Sequence, residues 1–353
     1  MRILPTRRKG SLIRLGCLFF LLLVALWLRY EWRGPAPHVA RISGTPKELG
    51  KAAANIDPSR LRMLRDRYLR GIICRGSEET LQRHSQAARA YLPLLSATHR
   101  KELHEFAEAA DLSLGTAMLA NCFLEMGLPG GGCRSLVCAT DDHFYHAHNL
   151  DWDSLAGMAN RVICVVHRKP ERDAYKTVSV SIVGLIGALD IINEHGIALS
   201  ANQSGTSCDQ PVEPTFIRMR RIAEQSRSFA EARQMLLGGT SKIPFHITLS
   251  SARERTAAVF ESGPEFTERS LRGGIIGADN STWGDQRSPV EKTALGTPIE
   301  DVNDVKSVLR STDVLVSSNI YSVIFDFSGN RLYLASGRFP AAQFGYREFP
   351  LFE

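Results

Sequence analysis

The chain has no Gly-x-Gly-x-x-Gly fingerprint, no P-loop and no internal repeat, so dinucleotide chemistry, phosphate-loop chemistry and solenoid architectures have no sequence support. It also lacks the paired Cys-x-x-Cys and His-Glu-x-x-His spacings of metal sites. Acidic residues are missing from the first fourteen positions, where Arg2, Arg7, Arg8, Lys9 and Arg14 carry most of the formal net charge of +6. The body that follows is close to neutral, which argues against a nucleic-acid-binding surface. Neither a nucleic-acid partner nor a cofactor is expected. What is present is a 353-residue chain, 44% apolar, ample for a packed α/β body.

The basic start leads into an uninterrupted apolar run, Leu15 to Leu28. It is shorter than the roughly 20 residues of an ideal membrane span, but Leu12 and Ile13 extend it, and Arg14 and Arg29 can reach the two interfaces. Bulky and charged residues follow where a cleavage site needs small ones. The expectation is a signal anchor with residues 1–33 forming a cytoplasmic tail and membrane segment, and the body exported; a cleaved signal is the alternative. Six cysteines lie beyond it, Cys74, Cys122, Cys133, Cys138, Cys164 and Cys208. In an oxidising compartment they allow up to three disulfides whose pairing is open, and a reactive thiol would leave an odd number.

Residues 34–40 read as a Pro-rich linker. From Pro46 to about Met126 apolar residues recur three and four apart, a helical pattern with start signals at Ser77 and Glu79. From Cys133 the period shortens to that of strands, interrupted by helical blocks from Thr215 and over "VNDVKSVLRS", and the chain closes on a hairpin, "SVIFDFSGNRLYLASG". The organisation expected is a linker and mostly helical segment over 34–132, then an α+β layered body over 133–353.

Between the two lies "GGGCRSLVCAT", Gly130 to Thr140. Three glycines permit left-handed or strained backbone and the close approach of another group to a carbonyl. That suits a plain turn before a strand, and it equally suits a peptide bond about to be attacked by the next side chain.

The residues after the glycines, "CRSLVCATDDHFYHAHNLDWD", resemble the nucleophile segment of the cysteine N-terminal-nucleophile (Ntn) hydrolases. The layout is most similar to the autoproteolytic acyltransferases typified by acyl-coenzyme A:6-aminopenicillanate acyltransferase, related to acid ceramidase and choloylglycine hydrolase. "INEHGIALSANQSG", "GADNSTW", the closing hairpin and "ISGTPKELGKAAA" extend the resemblance from Ile42 to the C-terminus. It implies a four-layer αββα sandwich and autocleavage between Gly132 and Cys133. It further implies Cys133 as nucleophile, Asp151 orienting the freed amine, and Asn202 and Asn280 as oxyanion donors. His148, Trp152 and Arg287 would face the substrate, with His148 standing where the family carries Arg or Gln.

The chemistry fits these residue types. A thiolate needs a base, and a chain-terminal cysteine carries one in its own α-amino group, with a reference pKa of about 7.7–8.0. The implied partner is a small N-acyl or amide substrate, cleaved through a Cys133 thioester by two self-cleaved chains that stay associated. Transfer to an amine acceptor uses the same intermediate. Each residue also has a plainer reading: Asp151, Asn202 and Asn280 as turn residues, the asparagines as glycosylation acceptors, Arg287 as a surface ion pair. A competing class is a zinc module drawn from Cys133, Cys138, His143, His146 and His148, although His143 falls on the opposite strand parity from the other two histidines. An inactive exported scaffold is the remaining class.

Overall fold

The computed structural model describes Leu18–Leu21 and residues 34–353, except positions 129, 172–173, 206–207, 282–283, 285 and 353. Two sheets face each other. The eight-stranded sheet runs β1 (His38–Gly44), β4 (Ile163–Pro170), β5 (Thr177–Ile182), β6 (Asp190–Asn193), β7 (Ile197–Gln203), β8 (Phe245–Ser251), β9 (Thr256–Glu261) and β10 (Thr267–Ser270). The six-stranded sheet runs β11 (Ile275–Asp279), β2 (Gly132–Ala139), β3 (Phe144–Asp151), β12 (Asn319–Asp326), β13 (Arg331–Ser336) and β14 (Arg347–Pro350). Neighbours are antiparallel except β1 and β4.

Alternation along β2 and β3 separates two environments. Leu136, Cys138, Tyr145 and Ala147 point outward onto helices Pro289–Leu295 and Val302–Arg310, meeting Val290, Ala294, Val305 and Leu309. Inward, Val137 and Phe144 meet Ala257 and Val259 of β9 across the gap between the sheets. Helices Thr215–Gln225 and Phe229–Leu237 cover the other sheet over β6, β7 and β8. The layers are therefore helix, sheet, sheet, helix, an α+β arrangement.

The helical region from Pro46 to Cys122 starts on a capping box, Thr45 with Glu48, and Ser77 caps Glu78–Ala88 through the Thr80 amide. Within it Leu64–Ile73 is wound with i→i+5 bonds, a rare geometry. The linker reading of 34–40 needs correction: His38–Gly44 is β1, an edge strand pairing with β4. Segment 34–132 is thereby built into the sandwich. Helix Ala97–Ala109 is tied in as well, because Glu102 accepts from Arg168 of β4 at 3.0 Å and from Arg220 of helix Thr215–Gln225 at 2.6 Å and 2.7 Å, all three buried.

Among the described residues no helix is long and apolar enough to cross a membrane. The expected anchor falls almost wholly outside them; Leu18–Leu21 alone are described, helical and exposed. The six cysteines beyond the anchor segment are all free, so none of the disulfides that sequence permits is formed.

Candidate active site

Cys133 is the second residue of β2, one strand in from the sheet edge, buried at 3% exposure and facing the eight-stranded sheet. Its amide N–H donates to Asn280 Oδ1 at 3.3 Å. The preceding glycines have a spatial explanation. A Cβ at Gly131 would lie 1.9 Å from the Asp151 carbonyl oxygen, and one at Gly130 would lie 2.5 Å from Gln203 Oε1 and from Leu124. None of the three glycines has a positive φ, so the run serves close approach and not left-handed backbone.

The inward face around Cys133 is polar, which is unusual between two packed sheets and requires every group to find a partner. His148 Nδ1 donates to Asp190 Oδ2 at 2.8 Å, and the same carboxylate accepts from the hydroxyls of Tyr321 and Ser200. Ser200 also bonds His146 Nε2 at 2.8 Å, whose Nδ1 meets Ser250 at 2.7 Å. Beside this line Asn202 Nδ2 donates to Ser135 Oγ at 2.8 Å, and Ser135 bonds Thr248 at 2.5 Å. Cys133 adjoins the network diagonally from His148. The thiol is near enough to raise the imidazole's pKa, while His148 Nε2 is buried and makes no hydrogen bond of ordinary geometry.

Burial and charge pull these groups in different directions. Burial lowers the His148 pKa, but the Asp190 charge and hydrogen bond, with a contribution from Cys133, raise it well above the usual imidazole value. Asp190 suffers the converse: burial raises it, and His148 with the two hydroxyls brings it below the usual carboxylate range. His146 is pushed down to about 4 by burial, against the pull of Asp190, so it is a neutral ring at physiological pH.

Asp151 points to the other face of β3. Its carboxylate accepts from Arg134 Nη1 and from Asn319 Nδ2 at 3.1 Å, and burial pushes it up to about 6 despite the Arg134 guanidinium. Gly132 is its register partner across β2 and β3. Asn202 is fully buried and its Oδ1 is unpartnered, whereas Asn280 is exposed and lies against Gly132. Arg287 is exposed, 3.8 Å from Glu291, and does not line the cavity at Cys133. That cavity is narrow, about 10 Å³, and apolar, walled by Leu124, Leu150, Trp152, Leu189, Phe216 and Phe245. Trp152 also borders a second apolar pocket, of about 50 Å³, with Leu61, Leu64, Tyr68 and Phe123, and its indole N–H donates to the Tyr68 hydroxyl at 2.9 Å.

The five residues of the zinc alternative do not come together: Cys138 faces outward, and His143 stacks on Tyr145. Among the described residues the metal-type cluster is His104, Glu105 and Glu108, on a helix distant in sequence. Sequence reasoning missed Asp190, Ser200, Tyr321, Arg134 and Asn319. Asp190 had a signal, a lone carboxylate inside the apolar strand "ALDII", since a charge in such a run must be paired.

No protein-family model and no curated protein matches the chain. Solved structures it is similar to include a Caenorhabditis elegans ortholog of N-acylethanolamine-hydrolyzing acid amidase, 15% identical with a TM-score of 0.47 over 56% of this chain and 93% of that one. Two structures of variant conjugated bile acid hydrolase from Clostridium perfringens are similar at 10% and 11% identity, with TM-scores of 0.44 and 0.38 over 62% of this chain and 92% and 97% of theirs. These are distant likenesses, and the functional reading stands on this chain's own residues.

Proposed function

We propose that the protein is a self-cleaving cysteine amidohydrolase of the N-terminal-nucleophile type. The single observation that carries the reading is Cys133 itself: a buried thiol following a glycine run that admits close approach, facing a Cys133–His148–Asp190 line on one side and an apolar cavity on the other. In self-cleavage Cys133 Sγ attacks the Gly132 carbonyl carbon, the C–N bond breaks, and the Gly132 acyl group moves to sulfur, freeing the Cys133 α-amine. Water then hydrolyses the thioester. In turnover that amine accepts the thiol proton, Sγ takes the acyl group of the substrate, the substrate amine leaves, and water releases a carboxylic acid.

Asn202 and Asn280 are proposed to steady the oxyanion, each such donor being worth about 3–4 kcal/mol at a transition state. Asp151 is proposed to receive the new amine, which requires it to give up part of its hold on Arg134 or Asn319. The apolar walls favour a linear amide with an apolar acyl group. Pairing of β1 with β4 and the Glu102 ion cluster support continued association of the two cleaved chains. The basic start and apolar run favour an exported body anchored by its N-terminus. A panel of N-acyl amino acids, acyl amines, lactams and peptides, read by mass spectrometry, tests the activity. Wild type should release a carboxylic acid from linear apolar N-acyl amides and Cys133→Ala should not; equal release by both overturns the reading.

A further inference from the structure

In the uncleaved chain the nitrogen of Cys133 is a peptide nitrogen, so the amine that would serve as base does not yet exist. A different group must take the thiol proton for the first cleavage. Resting on the self-cleaving reading above, we propose that His148, oriented by Asp190, is that base.

The backbone sets the pair. Cys133 lies opposite Leu150 and Ser135 opposite His148, so Cys133 and His148 are diagonal neighbours on the inward face of the β2–β3 hairpin. Such neighbours have Cα atoms about 7–8 Å apart, within reach of an imidazole. The Nδ1–H donated to Asp190 fixes the tautomer, so that in the neutral ring the lone pair lies on Nε2; because Asp190 holds the ring's pKa up at about 10, that base form grows as pH rises toward the alkaline side. Nε2 is buried with no hydrogen bond of ordinary geometry, and the Cys133 thiol is among the groups that raise the ring's pKa. Asp190 cannot swing away, because the hydroxyls of Ser200 and Tyr321 hold it from β7 and β12.

Other candidates are engaged elsewhere. His146 has both ring nitrogens bonded to serines. Asp151 is on the outward face, held by Arg134 and Asn319. The titratable groups acting on His148 among the described residues are Cys133 from β2, Asp190 from β6, Tyr321 from β12, and His146 and Asp151 from its own strand, Asp151 by charge from the opposite face.

The step balances without a co-reactant other than water. The proton passes from Cys133 Sγ to His148 Nε2, and Asp190 holds the resulting imidazolium. Sγ bonds to the Gly132 carbonyl carbon; as the C–N bond breaks, His148 returns the proton to the departing nitrogen, which becomes the α-amine of Cys133. The thioester is then hydrolysed, and the amine replaces His148 as the nearest base for turnover.

The test follows cleavage of the full chain by intact mass between pH 5 and pH 11, a range that includes the alkaline limb on which neutral His148 appears. Variants are His148→Gln, Asp190→Asn, and His148→Gly with and without added imidazole, each with a melting temperature. Removing a general base costs about 10²–10⁴-fold, so His148→Gln should cleave at least about 100-fold more slowly than wild type. Imidazole should restore His148→Gly. Asp190→Asn should move the rising limb of the pH profile to lower pH, since the carboxylate no longer raises the imidazole. A folded His148→Gln that cleaves at the wild-type rate overturns the assignment. Should that variant not fold, a His148→Gly chain indifferent to imidazole together with an unshifted Asp190→Asn profile overturns it equally. An uncleaved wild-type chain refutes instead the self-cleaving reading, and this assignment falls with it.

Discussion

Replacing Glu102 by Gln removes one charge from a cluster with no route to water. Glu102 sits between Arg168 and Arg220, and Arg220 also donates to Glu224 at 2.7 Å, whose other oxygen lies 3.2 Å from His99 Nε2. Two carboxylates against two guanidiniums balance; with Gln at 102, two buried cations face one anion. Breaking a buried pair from one side costs about 3–5 kcal/mol, and at roughly 2 °C per kcal/mol for a body of this size the melting temperature should fall by about 6–10 °C. Burial raises the Glu102 pKa, but Arg220 and Arg168 outweigh it and hold the carboxyl below its usual range. The folded chain therefore binds a proton there less readily than the unfolded chain. The stabilisation is complete above the unfolded value of about 4.3 and is lost as pH falls through the folded one. The deficit of Glu102→Gln, measured by thermal unfolding, should thus be full at pH 7 and shrink below about pH 4.3. Pairing it with Arg220→Met should give a loss smaller than the sum of the two by about 0.5–3 kcal/mol. A deficit under about 1 kcal/mol at pH 7, or one independent of pH, refutes the reasoning.

Two other substitutions probe the site. Gly131→Ala drives a methyl group into the Asp151 carbonyl, so cleavage and melting temperature should both fall; an unchanged variant removes the close-approach explanation of the glycine run. Asp151→Asn should lower amide turnover far more than melting temperature, with kcat falling at least about 100-fold, because its proposed work begins once the amine is free; equal loss of both marks a structural pairing with Arg134.

Strands with apolar faces on both sides or in clean alternation were legible, β2, β3, β7, β8, β12 and β13 among them, as was the helical run before Cys133. The strands left out, β1, β10 and β14, are all sheet edges. β10 and β14 carry charge, as "TERS" and "REFP" show, so neither alternation nor apolar content marks them, whereas the fourth edge, β11, is apolar and was legible. The nucleophile segment could be found because glycine, cysteine and the Asn-Leu-Asp-Trp run are contiguous. The Asp190 partner of His148 could not: forty-two positions separate the two, and only the packing of one sheet on the other brings them together. The same packing turns His148, expected to face substrate, toward a buried carboxylate.

Intact-mass analysis of purified wild-type protein, with sequencing of the larger fragment, tests the central claim most directly. The account predicts two chains whose masses sum to that of the full chain plus one water, the larger beginning at Cys133, and a single chain for Cys133→Ala. A single uncleaved wild-type chain that hydrolyses amides, or a break at any bond other than Gly132–Cys133, would contradict it.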